Sequence, residues 1–183
     1  MPTAEEYSGL SIEARLSRLD ETPGEVERAI SGKTDKELSV RPDAHNWAAK
    51  EIVCHLRDVE ELFQIRFHTV VAVEEPRILV FGASANDLAP WRIGGAIGRP
   101  LDPERWAAER QYLRNDTGEA LAAFRRRRVE VLVLLRSLSP TEWQRGGVHL
   151  SRGRLILADW VARLAGHDDN HVAQLRRALQ GRA

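Results

Sequence analysis

The sequence predicts an all-α fold, a four-helix bundle. Two observations predict it. Apolar residues recur at three- and four-residue intervals over four long stretches. Capping and breaking residues punctuate the ends of those stretches. At 183 residues the chain suits one domain spanning 1–183, and that length buries most of its unfolded surface without disulfide or metal staples.

The first stripe, Leu16, Leu19, Val26 and Ile30, runs from about Ser11 to Gly32. Pro23 interrupts it, so either the helix kinks there or a new one starts with Thr22 as its cap. The second helix begins near Trp47 and runs to about Val73, with Ile52, His55, Leu56, Val59, Leu62, Phe63, Arg66, Phe67 and Val70 in its stripe. Residues 74–103 then lose the period and carry four glycines. So long an aperiodic stretch is more often functional or a crossover than idle. At up to about 3.3 Å per residue it can span a helix of about 38 Å, so the second and third long helices are free to run parallel.

A shorter helix is expected over Pro103–Leu113. Asp116 with Glu119 resembles a capping box for the third long helix, whose face is Ala120, Leu121, Phe124, Arg128, Val131, Leu134, Leu135 and Leu138. Ser139-Pro140 stops it. Residues 146–154 read as a turn-rich link, with a small hairpin around Ser151-Arg152-Gly153. The last helix spans about Leu155 to Leu179, its stripe being Leu157, Trp160, Val161, Leu164, His167, Asp168, His171 and Leu175. Four such helices make a bundle.

Composition narrows the function classes. Lys plus Arg is 27 and Asp plus Glu is 27, so the formal net charge is zero. A dedicated binder of nucleic acid or of an anionic membrane normally needs a basic face, and neither partner is expected. One cysteine, Cys54, excludes an intrachain disulfide and fits a reducing cytoplasm. The opening MPTAEEYSGL is acidic and lacks the order of a secretion signal, and the longest apolar run, near Val129 to Leu135, is too short for a membrane span. A cytoplasmic location is the expectation.

Three histidines carry the chemical signal. His167 and His171 are four apart, hence one turn apart on one helix face, and they occupy positions where Leu or Val is expected. Imidazoles in an apolar stripe lose hydration unless something compensates, and a metal ion does so by accepting one nitrogen from each. His55 sits in the stripe of the second helix between Ile52 and Val59. A lone inward histidine is more often a satisfied core residue than a ligand. Three inward histidines on two helices of one bundle point to a divalent metal with coordination positions left open.

Ser31 to Pro42 (SGKTDKELSVRP) followed by Trp47 to Glu60 (WAAKEIVCHLRDVE) resembles the first signature of DinB/YfiT-like proteins. Phe124 to Arg128 (FRRRR) resembles a second, and His149, Gly153, Trp160 and His167 to Leu175 (HDDNHVAQL) a third. The resemblance covers nearly the whole chain in order. It implies an up-down-down-up bundle with a long crossover between the second and third long helices. It also implies a three-histidine metal site, here His55, His167 and His171, and relatives that include metal-dependent hydrolases and enzymes using thiols of the bacillithiol or mycothiol type. It implies a homodimer, which no stripe in this chain demands.

The neighbours of that trio are expectations too. Asp168 follows the first histidine of the pair and is read as orienting an imidazole, capping a neighbour or acting as a base. Asp58, three after His55, is read as the partner of Arg128, because a buried arginine needs a carboxylate. Glu51, one turn before His55, is a further candidate for orienting the site. Arg125 to Arg128 sweep about 300° of helix and cannot make one flat basic face. Cys54 points away from His55 and reads as a packing residue. His45, His68 and His149 default to the surface, with His149 close enough to the last helix to reach the mouth of the site. Trp91 and Trp106 either cover a pocket or pack on the bundle.

The leading reading is an enzyme acting on a small molecule through a divalent ion, with zinc, nickel and iron all suited to imidazole, and hydrolysis by activated water as the reaction. The alternatives are a thiol-dependent S-transferase on the same scaffold, a non-catalytic metal-binding protein, and a bundle with no metal.

Overall fold

The computed structural model describes residues 4–78, 102–150 and 152–183. In chain order the elements are α1 (Ala4–Ser8), α2 (Ile12–Ile30), α3 (Asp35–Leu38), α4 (Ala49–Ala72), β1 (Arg77–Ile78), α5 (Pro103–Glu109), α6 (Thr117–Ser137), β2 (Gly146–His149), β3 (Gly153–Ile156) and α7 (Leu157–Ala178). The four long helices α2, α4, α6 and α7 form the bundle that the stripes predict.

The helices after α1 begin where the sequence supplies an acceptor. Ser11 takes the Ala14 N–H at 3.1 Å, Asp116 takes the Glu119 N–H at 2.8 Å, and Asp102 caps α5 ahead of Pro103. Glu51 and Asp159 reach back to the N–H groups of Ala48 and Ile156, at 2.9 and 3.0 Å.

Polar pairs fix the helix directions. Arg18 meets Asp169 and Arg176 meets Glu25, ascending along both α2 and α7, so these two run the same way. Arg127 Nη1 donates to Arg57 O and Gln64 to Glu130, again ascending, so α4 and α6 are parallel. Glu27 with Arg125 and Asp20 with Arg136 descend, so α2 and α6 are antiparallel. His55 near His167, and Phe63 near Trp160, set α4 against α7. The order is up, down, down, up. Most of the connection between α4 and α5, residues 79–101, lies outside the described residues, and Trp91 lies with it.

Pro23 does not start a new helix; α2 is continuous through it. Lacking an N–H, Pro23 leaves the Leu19 carbonyl without its helical donor. Arg128 Nη1 fills that vacancy at 2.5 Å. The buried trio Glu60, Arg128 and Asp168 sits between two apolar clusters. One gathers Leu19, Phe63, Phe67, Leu135, Trp160 and Leu164; the other gathers Ile52, Leu56, Tyr112, Phe124, Val172 and Leu175.

The all-α expectation omits a three-stranded sheet, ordered β1-β2-β3, with β1 parallel to β2 and β2 antiparallel to β3. The expected hairpin turn is there, with His149 opposite Gly153, whose φ of 72° suits glycine. Gly147 allows the close approach of the sheet to α4. A Cβ there would meet Ile78 Cγ1 at 2.8 Å and Pro76 O at 3.1 Å. Gly147→Val is therefore expected to cost about 1–3 kcal/mol by overpacking, read as a lowered urea midpoint at unchanged m. α5 is shorter than expected. It ends at Glu109, and Gln111, at a φ of 51°, leads into a 3-10 turn over Tyr112–Arg114.

Candidate functional site

The histidine cleft lies where α4 faces α7. His55 is buried, and His167 and His171 are half-buried one turn apart. One nitrogen from each ring lies within 4.8 Å of the others. His55 Nε2 is 3.1 Å from His167 Nε2, and the ring centroids are 4.3 to 5.2 Å apart. His171 Nδ1 is 2.8 Å from Gln174 Oε1; with Nδ1–H donating, that bond leaves Nε2 as an acceptor. Burial, then the neighbouring His167, pushes the His171 ring down to about 3. Burial, His167 and His171 push His55 well below the ordinary imidazole range. Both rings are neutral at physiological pH, the form that offers a lone pair.

Trp47 walls this cluster. Its ring centroid is 4.8 Å from that of His55, and it stacks at 6.3 Å on His171. Its Nε1–H donates to Glu104 Oε2 at 3.0 Å, which fastens the start of α5 to the lead of α4. Among the described residues, His45, Trp47, His55, Pro103, Glu104, His167, His171 and Gln174 line a cleft of about 390 Å³. Glu104 is the one carboxylate in that lining. A larger groove of about 940 Å³ lies beside Arg57, Arg110 and Arg127, but those cations are paired with Asp58 and Glu61.

The expected supporting residues divide. Asp168 is adjacent to the cluster, its Oδ1 at 3.7 Å from His167 Nδ1, and its Oδ2 is 2.8 Å from Arg128 Nη1. Burial opposes its charge, but Arg128 and His167 outweigh burial and hold it down at about 2. The pairing of Asp58 with Arg128 is corrected. Arg128 Nε and Nη2 donate to Glu60 at 2.8 and 2.6 Å. Asp58 instead receives Arg57 at 2.7 Å, the Tyr112 hydroxyl at 2.7 Å and Arg110 at 2.7 Å. Glu51 does not orient the site by any bond seen among the described residues; it receives both arms of Arg41, at 2.7 and 2.5 Å, besides the Ala48 N–H.

His149, expected at the surface within reach of the mouth, lies on β2 against Trp160, 5.6 Å between ring centroids, and it is His45 that lines the cleft. Cys54 packs with Sγ 3.8 Å from Tyr112 O, and burial pushes its thiol up to about 11. The arginine run disperses: Arg125 goes to Glu27, Arg127 to Glu61, Arg128 inward. Trp106 carries the Arg110 guanidinium over its ring at 4.3 Å. Glu60, Glu104 and the wall role of Trp47 escaped the sequence reading. Glu60 had a signal, the need of an inward Arg128 for a carboxylate. Glu104 had none, because it follows an aperiodic segment. Among the described residues no helix is long and apolar enough to cross a membrane.

Fold and site together define a four-helix bundle with an interhelical three-histidine cleft. Residues 18–175 match the DinB superfamily, and the chain belongs to that family. YfiT of Bacillus subtilis (strain 168) is 23% identical over 158 residues, covering 86% of this chain and 78% of that protein. The solved structure of YfiT, described as a probable metal-dependent hydrolase with an unusual four-helix bundle topology, matches with a TM-score of 0.75 at 22% identity, over 94% of this chain and 89% of that one.

Proposed function

We propose that this protein is a metal-dependent enzyme acting on a small molecule, a hydrolase in the first instance, with His55, His167 and His171 as the ligands of a divalent cation. The convergence of three imidazoles on one interhelical point, with His55 and His171 held neutral by burial, carries the reading. The donor set fits the ion. Zinc–nitrogen bonds of about 2.0–2.1 Å in a tetrahedral set separate the nitrogens by about 3.3 Å. The 3.1 Å pair already has that spacing, and the widest separation needs a side-chain adjustment of about 1.5 Å. YfiT, the similar protein, is described as a probable metal-dependent hydrolase, which supports the same reading.

Bound there, zinc, nickel or iron would polarise a carbonyl or activate water at neutral pH. The chain's own residues do the rest. Gln174 fixes the His171 tautomer, and Trp47 excludes water from one side of the rings. Arg128 holds Asp168 ionised beside His167, where it can orient that ring but is too firmly paired to take a proton. Glu104, held by Trp47, is the carboxylate of the cleft available for proton transfer.

Elemental analysis of protein purified without an affinity tag tests this reading. About one divalent ion per chain is expected, with the affinity falling at least about 100-fold in His167→Ala. Glu104→Gln is expected to keep the ion and lower turnover by about 100-fold on a panel of esters, amides and lactams. No stoichiometric metal in the wild-type protein would overturn it. A second reading on the same scaffold is transfer of a low-molecular-weight thiol; turnover that appears only when such a thiol is added would select it.

A further inference from the structure

We infer that the mouth of the histidine cleft is a subsite for an organic ammonium group, and that the small molecule is an amide whose amine half lies against Trp47 and Glu104. That it is an amide rests on the hydrolase proposed above; the ammonium subsite stands on its own residues.

The charge of the lining runs against the composition of the chain. The sequence holds 27 lysines and arginines, yet among the described residues that line the cleft there is neither, and Glu104 is the one carboxylate. Arg41 lies within electrostatic reach of Glu104, but both its arms are bound to Glu51, at 2.7 and 2.5 Å. The buried carboxylates of α4, Glu51, Asp58 and Glu60, each receive a guanidinium. Glu104 receives an indole instead. Trp47 Nε1–H donates to its Oε2 at 3.0 Å, and Oε1 has no hydrogen-bond partner among the described residues. The carboxylate is thus fixed in place with one oxygen open.

Trp47 supplies the apolar half of the subsite. Indole is the strongest of the aromatic faces for a cation, and hydrocarbon packs on it as well. Pro103 extends that wall, and His45, whose N–H donates to Asp43 at 2.8 Å, borders the same cleft. The width of one indole separates Glu104 from the His55 ring, which lies 4.8 Å from the Trp47 ring centre. A small molecule therefore spans from the histidines to Glu104. A carboxylate or phosphate at the Glu104 end would meet a like charge and lose its hydration without compensation.

Amide cleavage uses both ends. The oxygen of water bonds to the carbonyl carbon, the C–N bond breaks, and both water protons end on nitrogen, giving a carboxylate and an ammonium ion. Glu104, the proton carrier proposed above, is left facing the ammonium ion as its ion-pair partner.

The test titrates the purified protein near pH 7 with benzylamine, benzyl alcohol and benzoate, following the Trp47 indole N–H resonance in NMR, assigned with Trp47→Phe. One saturable site for benzylamine is expected, with benzyl alcohol at least about tenfold weaker and benzoate weaker still. Glu104→Gln, whose amide still accepts the Trp47 N–H, is expected to weaken benzylamine about tenfold while the melting temperature holds. Benzylamine binding that ignores Glu104→Gln, as it would at a metal ion, overturns the proposal. So does benzoate binding as tight as that of benzylamine, and so does a Trp47 resonance that benzylamine does not move at about 50 mM, well above the millimolar range of weak sites. Elemental analysis of the same sample separates the two readings. An ammonium site without a metal leaves the subsite standing and removes the hydrolase; a metal without an ammonium site does the reverse.

Discussion

Arg128→Met is expected to destabilise the fold by about 3–5 kcal/mol, because it leaves two buried carboxylates without their cation. Glu60 and Asp168 are 0% and 1% exposed at the side chain, so neither can turn to water. The Leu19 carbonyl, already deprived of a helical donor by Pro23, loses its replacement as well. Burial works against the Arg128 charge, but Asp168 and Glu60 outweigh it and hold the guanidinium protonated far above its usual range. At about 2–4 °C per kcal/mol for a chain of this size, the melting temperature should fall by roughly 6–20 °C. Adding Glu60→Gln and Asp168→Asn to Arg128→Met should recover a large part of that loss, because the penalty lies in the stranded charges. A single variant as stable as the wild type would show that the trio contributes nothing net.

The second large effect is acid lability of the metal-free protein. His55 and His171 are neutral in the fold, with His171 held down at about 3 by burial and His167, whereas both take a proton near 6.5 in an unfolded chain. Above about pH 7 neither state binds the proton, and stability is indifferent to pH. Below about 6.5 the unfolded chain gains protons that the fold refuses. Each ring then removes about 1.4 kcal/mol per pH unit, until His171 itself protonates near 3. Urea unfolding after chelation should therefore lose about 2–3 kcal/mol per unit between roughly pH 6 and pH 5. His171→Gln should remove about half of that slope. A flat profile would mean that the rings are not held neutral and buried.

The bundle was legible because its four stripes are long. Over 19 to 24 residues a period of 3.6 leaves little ambiguity, and the helix ends fell within two or three residues of Ser11, Val73, Asp116 and Leu179. The sheet was not legible, because strands of two and four residues are too short to display a period of two. The histidines stood out for the reason a polar side chain in an apolar stripe always does: burial must be compensated. That logic also found Arg128 inward. It could not choose between Asp58 and Glu60, which lie within one turn of each other, because a stripe does not give the rotation of one helix against the next. The choice was made by Tyr112, whose hydroxyl claims Asp58 from a 3-10 turn that begins at a left-handed Gln111. Glu104 entered the cleft for a comparable reason: a tryptophan indole 57 positions earlier holds it there.

The shared direction of the first and last long helices bears on how the chain comes together during synthesis. Arg18 and Asp169 stand 151 positions apart, and Tyr7 and Asp169 stand 162 apart. No hairpin of neighbouring helices can close this core alone, since α2 needs α7, which is made after α4 and α6. A nascent chain therefore exposes α2 before its mate is made, and helix pairs this remote in sequence close more slowly than adjacent ones.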